Sequence, residues 1–171
     1  MEGVSSMSER AMLAADIAEL LGSSGLKVAV AESLTGGMVS SALAEAPRSS
    51  AWFCGALVAY TSEVKHKLLN VPYGPVVTAN AAAVMAREVR RLLGADVSVA
   101  LTGAAGPDGQ DGQPPGTVFI GLSDGRHTHV EHRYFDGDDP GDVCIQTTTE
   151  ALRLLLDYLS RSGSTSKGLL Y

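Results

Sequence analysis

Three groups of residues in this sequence are of types that could do chemistry. The first runs from Ser49-Ser50-Ala51-Trp52-Phe53 through Tyr60 to Lys65. A serine becomes a nucleophile when a base lies within hydrogen-bond reach, and a loop, a strand and a helix start in that order could bring Ser49 or Ser50 to Lys65. Lysine is a base only when neutral, so its pKa must fall by about three units from ~10.4. That costs about 4 kcal/mol, supplied by burial or a neighbouring cation. The same residues also fit a plainer reading, in which Lys65 and Lys67 are solvated helix charges and Ser49 or Ser50 caps a helix.

The second group is a pair of small-residue loops that directly follow apolar runs: Ser33-Leu34-Thr35-Gly36-Gly37 after VAVAE, and Thr102-Gly103 with AAGPDG after VSVAL. Ligands of open α/β sheets bind beyond the carboxyl ends of the strands. Ser33, Thr35 and Thr102 offer hydroxyls, and Gly36 and Gly103 let backbone approach a phosphate, ribose or carboxamide. Ordinary tight turns that need glycine for positive φ fit equally well. Neither loop is followed by GK[ST] and neither reads GxGxxG. The third group, His127-x-His129, puts two imidazoles on one face of a strand, with His132 on the other. Metals use that spacing, yet exposed strand histidines have it too, and no HExxH or carboxylate cluster supports a metal. The acidic run Asp136 to Asp142 reads as a solvated loop or a cation site.

The elements that must position these groups follow from periodicity. Met12, Leu13, Ile17, Leu20 and Leu21 predict a helix capped by Ser8 and stopped at Gly22. LKVAVAE predicts a buried strand, and Met38 to Ala46 a helix ended by Pro47. The Ser/Thr/Gly turn between them aims its backbone amides above the sheet. GALVAY predicts a second strand, and Thr61 or Ser62 caps a helix through EVKHKLL. Val84, Met85, Val89, Leu92 and Leu93 predict a further helix from Thr78 to Gly94, leading into the strand DVSVALT. TVFIGL and THVEHRYF predict a hairpin about Ser123–Arg126. TTTEALRLLLDYL predicts a last helix, with Thr147-x-x-Glu150 as its capping box and DGDDPGD as the loop before it. The order α-β-α-β-α-β-β-β-α predicts a three-layer α/β/α sandwich around a mixed sheet of about five strands. Residues 1–160 are expected to form one domain, and 161–171 a flexible tail.

Composition narrows the partners. The 171 residues carry Lys+Arg 13 against Asp+Glu 19, a formal charge of -6, which argues against phosphate-driven nucleic-acid binding and for a small substrate. No apolar run reaches the ~18 residues of a membrane span. Nothing in MEGVSSMSER reads as a secretory signal, so a cytoplasmic location is expected. Cys54 and Cys144 lack CxxC spacing and read as small hydrophobes.

Taken together, AESLTGG, SSAWF, the LVAY-to-Lys65 spacing and TGAAGPDG followed by PxGTVF strongly resemble the carboxy-terminal domain of the CinA (competence/damage-inducible) family, also known as nicotinamide-nucleotide amidohydrolase. The resemblance covers the chain from the first helix to about residue 159. It implies an α/β/α sandwich and a hydrolase that converts nicotinamide mononucleotide to nicotinate mononucleotide and ammonia, without metal or organic cofactor. Carried over by motif, the nucleophile is Ser50, the general base Lys65 and the assisting tyrosine Tyr60. Ser33, Thr35, Gly36, Thr102 and Gly103 fall where the family contacts ligand. A homodimer or higher homo-oligomer is expected by the same analogy, and a stand-alone domain from the chain's length.

The sequence departs from the family pattern at three places. Arg48 stands where the family usually has glycine before the serine pair. The stretch before the Thr78 helix is shortened to Gly74-Pro75-Val76-Val77-Thr78. Before the last helix the chain reads Gly137-Asp138-Asp139 and then Val143-Cys144-Ile145-Gln146, so the expected basic residues are missing at Asp139 and Cys144. Loss of a bidentate arginine removes a charge-assisted phosphate contact. Arg48 and Arg133 are candidates to replace it. The resemblance therefore admits two further readings, a catalytically weak or inactive nucleotide-binding or scaffold protein and an amidase for a different, non-phosphorylated substrate.

Overall fold

Five strands, β1 (Val28–Glu32), β2 (Phe53–Val58), β3 (Val97–Gly103), β4 (Thr117–Ser123) and β5 (Thr128–Tyr134), form one sheet in the order β2-β1-β3-β4-β5. The computed structural model describes residues 7–136 and 139–166, the last four by backbone alone. β1 runs parallel to β2 and β3, while β4 and β5 complete the sheet antiparallel. The carboxyl ends of β1, β2 and β3 therefore open on one edge, carrying the turns after Glu32, Val58 and Gly103. The helices are α1 (Glu9–Ser24), α2 (Met38–Glu45), α3 (Ser49–Trp52), α4 (Ser62–Leu68), α5 (Ala79–Leu93) and α6 (Pro140–Ser166).

Alternation along β1 builds the layers, because successive side chains leave a strand on opposite faces. Val28 and Val30 join Val97, Val99, Val118 and Ile120 in a core closed by α1, α2 and α6. Ala29 and Ala31 face the other way, with Ala100, into a core closed by α5 and by Leu69, Val71 and Val76. Small residues on that side let α5 ride close to the sheet. At Gly121 a Cβ would stand 2.5 Å from the Ala82 carbonyl oxygen, so only glycine fits under the helix. The three-layer sandwich with a five-stranded mixed sheet is what the sequence predicts.

Several boundaries are corrected. α1 passes through Gly22 and ends at Gly25, whose φ of 72° supplies the left-handed cap. A short helix, α3, occupies the serine pair. α6 begins at Pro140 rather than at Thr147. Proline suits the first helical position, and the Asp139 carboxylate accepts from the Gly141 amide at 2.7 Å. Thr147 is thus inside the helix, its hydroxyl donating to the Val143 carbonyl at 2.7 Å, and caps nothing. α6 continues to Ser166, past the point where the tail is expected to begin. Gly137, Asp138 and residues 167–171 lie outside the described residues.

Candidate active site

Two buried polar side chains meet at the carboxyl edge of the sheet. Ser33 follows β1 directly and is 5% exposed; Lys65 lies on α4 and is 2% exposed. Lys65 Nζ donates to Ser33 Oγ at 2.8 Å and to the Tyr60 carbonyl at 3.2 Å. The Thr61 hydroxyl accepts from the Val64 amide and caps α4, which fixes the turn that brings Lys65 back over the end of β2. Burial holds the Lys65 pKa down, to about 8, against the Asp111 carboxylate, which pulls it upward. A fraction of the side chain on the order of a tenth is then neutral at pH 7, and a neutral amine next to a hydroxyl is the arrangement that activates a serine.

Ser50 is not part of this arrangement. It lies exposed on α3, which enters β2 from the amino end, whereas Lys65 follows the carboxyl end. The six residues of β2 separate the two ends by roughly 17 Å, at about 3.3 Å per residue. The SSAWF motif instead holds its own segment together: the Ser49 hydroxyl donates to the Ala44 carbonyl, and buried Trp52 donates to the Pro47 carbonyl. Tyr60 is at the site, but its contact to Lys65 runs through the backbone carbonyl. Its side chain is 67% exposed and does not bridge serine and lysine.

The Ser33 turn is organised by a residue that sequence reasoning did not single out. Glu32 points toward α2 and is fully buried. It accepts from the Thr35 hydroxyl at 2.5 Å, from the Gly37 and Val39 amides at 3.1 and 3.2 Å, and from the Ser40 amide at 2.7 Å. Thr35 is therefore tied to Glu32, and these amides face inward, contrary to the expectation that they point above the sheet. Gly36 has a φ of 57° and open space where a Cβ would be, so this glycine serves the turn while leaving its surface free.

Thr102 and Gly103 each make a structural contact at the end of β3. The Thr102 hydroxyl, 1% exposed, donates to the Val76 carbonyl at 2.8 Å. Gly103 is required because a Cβ would meet the Thr117 carbonyl oxygen at 2.7 Å. From the loop that follows, Asp111 accepts from the Val76 and Val77 amides at 2.7 and 2.9 Å. The shortened Gly74–Thr78 stretch is thus clamped by Thr102 and Asp111, and the clamp brings a carboxylate near Lys65. Asp111 carried no sequence signal beyond membership of a Gly/Pro/Asp loop.

Cys144, on the second turn of α6, donates its thiol to the Leu34 carbonyl at 3.1 Å, and burial pushes its pKa up. The position at which the resemblance implies a basic residue therefore touches the Ser33 turn. Neither proposed replacement is available there. Arg48 packs beside Gly22 near the opposite end of the sheet. Arg133 is bound to Glu131 and Glu150. His129 pairs with Glu131 and His132 stacks on Phe119. Among the described residues no three His, Cys, Asp or Glu side chains come together as a metal would require. A groove of about 490 Å³ between α1 and α2 is lined by Arg10, Ala11, Met38, Ala42 and others, but not by Ser33 or Lys65. No helix among the described residues is long and apolar enough to cross a membrane.

The profile of the family described as CinA C-terminal domain matches residues 10–159. A CinA-like protein of Geobacter sulfurreducens is 38% identical over 151 residues, covering 85% of this chain and 35% of the relative. The chain spans about a third of the length of the curated relatives it matches. Among solved structures, a competence or damage-inducible protein from Enterobacter asburiae has a TM-score of 0.85 at 30% identity, covering 90% of this chain and 99% of that one. The competence damage-inducible protein A from Klebsiella pneumoniae also has a TM-score of 0.85, at 29% identity, with 90% and 98% covered.

Proposed function

The chain belongs to the CinA C-terminal domain family, and from that premise we propose that it is an amidohydrolase in which Ser33 is the nucleophile and Lys65 the general base. The substrate we propose is nicotinamide mononucleotide, hydrolysed to nicotinate mononucleotide and ammonia. The observation that carries this reading is the buried 2.8 Å contact between Lys65 Nζ and Ser33 Oγ. Neutral Lys65 takes the Ser33 proton as Oγ adds to the carboxamide carbon. The ammonium so formed returns a proton to the departing nitrogen, which leaves as ammonia. Water, deprotonated by Lys65, then cleaves the acyl-enzyme and frees Ser33. The Tyr60 carbonyl holds the amine in line. The Leu34 and Thr35 amides follow the nucleophile directly and are our candidates for oxyanion donors, worth about 3 kcal/mol each. The Tyr60 ring, exposed beside the cleft, offers a face for the substrate's aromatic ring. A cytoplasmic homodimer without nucleic-acid partners belongs to the same reading.

A second reading, hydrolysis of a carboxamide that lacks the phosphate, has one observation in its favour: Cys144 faces the turn where a basic residue is expected, and Arg133 is already paired with Glu131 and Glu150. Ammonia release from nicotinamide mononucleotide and nicotinamide riboside tests both. Turnover that falls by about a thousandfold or more in Ser33→Ala and Lys65→Ala but persists in Ser50→Ala supports the assignment. Undiminished turnover in Ser33→Ala overturns it. Turnover of the riboside alone selects the second reading, and no ammonia from either substrate points to a binding protein.

A further inference from the structure

A helix that starts just after a strand of an open α/β sheet has free N–H groups and a positive end, and it commonly takes an anionic group of the ligand there. In this chain that place is filled from within. Both oxygens of Glu32 are used: Oε2 accepts from Thr35 Oγ1, Gly37 N and Val39 N, and Oε1 from Ser40 N. Four donors match the acceptor capacity of one ionised carboxylate, and none of these four is a cation. The side chain is 0% exposed. The next residue leaves the strand on the other face and is Ser33, beside Lys65.

We propose that Glu32 is a built-in anion for the α2 N-terminus, a positioning residue that keeps the Ser33 turn formed before substrate arrives and excludes the substrate's own negative charge from that helix end. The role in catalysis rests on Ser33 being the nucleophile; the role as internal anion does not. The charge is what matters. In Glu32→Gln, an amide oxygen at the three-donor position would leave the amide NH2 against the Ser40 N–H. Glu32→Ala removes the anion and leaves space for a small one.

The test compares the full chain with Glu32→Ala and Glu32→Gln by backbone hydrogen exchange, with and without formate, and then by steady-state kinetics. In Glu32→Ala we expect exchange over residues 33–40 to speed up by about tenfold or more while 97–103 is unchanged. Formate should restore protection, and chloride at equal ionic strength should not. Inorganic phosphate should slow exchange of 33–40 in Glu32→Ala and leave the wild type unaffected. With the amide substrate, kcat should fall by about tenfold with KM changed by less than about threefold, and formate should return kcat toward the wild-type value. Wild-type protection of 33–40 in either variant, losses in Glu32→Ala that formate does not reverse, or phosphate protection of this segment in the wild type would each overturn the proposal. If Glu32→Ala does not fold, exchange in Glu32→Gln decides it. The exchange arm needs no turnover, so a wild type that releases no ammonia would count against the hydrolase reading, while exchange alone would still decide the role of Glu32.

Discussion

Lys65 and Ser33 meet from positions 32 apart in the chain, and the chemistry they could do depends on one proton. With the Lys65 pKa lowered to about 8 by burial, amide hydrolysis should rise with pH along a limb centred near 8 as the base becomes neutral. Asp111 works against burial, so Asp111→Asn, which keeps an oxygen for the Val76 and Val77 amides, should move that limb to lower pH, by less than about one unit. A pH–kcat/KM profile that stays in place would show that Asp111 does not reach Lys65. The same shift links to folding. The Lys65 pKa is about 8 in the native state against the ordinary lysine value of 10.5. Between those values the unfolded chain binds the extra proton, so this group makes stability rise with pH across that window. Lys65→Met should lack the rise, which denaturant titrations at about pH 7.5 and 10, on either side of most of that window, would measure.

Among the elements, α5 and β4 show how a single glycine sets how closely a helix can approach the sheet. A Cβ at Gly121 would lie 2.5 Å from the Ala82 carbonyl oxygen, which belongs to helix backbone and cannot turn aside. Gly121→Ala should therefore cost about 1–3 kcal/mol, as overpacking does, read as a lower denaturant midpoint at unchanged slope. Exposed ion pairs such as Lys67–Glu63 should contribute well under about 1 kcal/mol. The start of α6 shows how local rules compete. Thr147-x-x-Glu150 fits a capping box, but Asp139-Pro140 upstream fits the first turn better, and the helix takes the earlier start. Thr147 and Thr148 then turn their hydroxyls back to the Val143 and Cys144 carbonyls.

For the whole molecule, both cores rest on the same strands: Val28 and Val30 serve one face, Ala29 and Ala31 the other. Neither layer of helices can leave without exposing β1 and β3, so heat should unfold the protein in one cooperative step. Calorimetry checks this. Equal calorimetric and van't Hoff enthalpies are expected, and two resolved transitions would show that the layers are independent.

The sequence alone determined the layers, the five strands and most caps, because these depend on short-range periodicity: apolar spacing along 12–21, Val/Ala alternation along 28–31, and Ser8, Thr61 and Thr78 at helix starts. It also carried the membership of the chain's family and marked Lys65 and Ser33 as residues of interest. Which serine faces the lysine was decided only by the tertiary structure. Ser50 and Ser33 both lie near strands in sequence, but parallel pairing of β1 and β2 puts the end of β1 and the start of α4 at one edge and α3 at the other. The same holds for Glu32, Asp111 and Cys144. A loop aspartate that clamps a segment 34 and 35 residues away and a thiol against a turn carbonyl 110 residues away arise from contacts between distant elements, which no local spacing encodes. The Glu32 contacts span only three to eight residues, but which face the side chain takes was set by the buried strand.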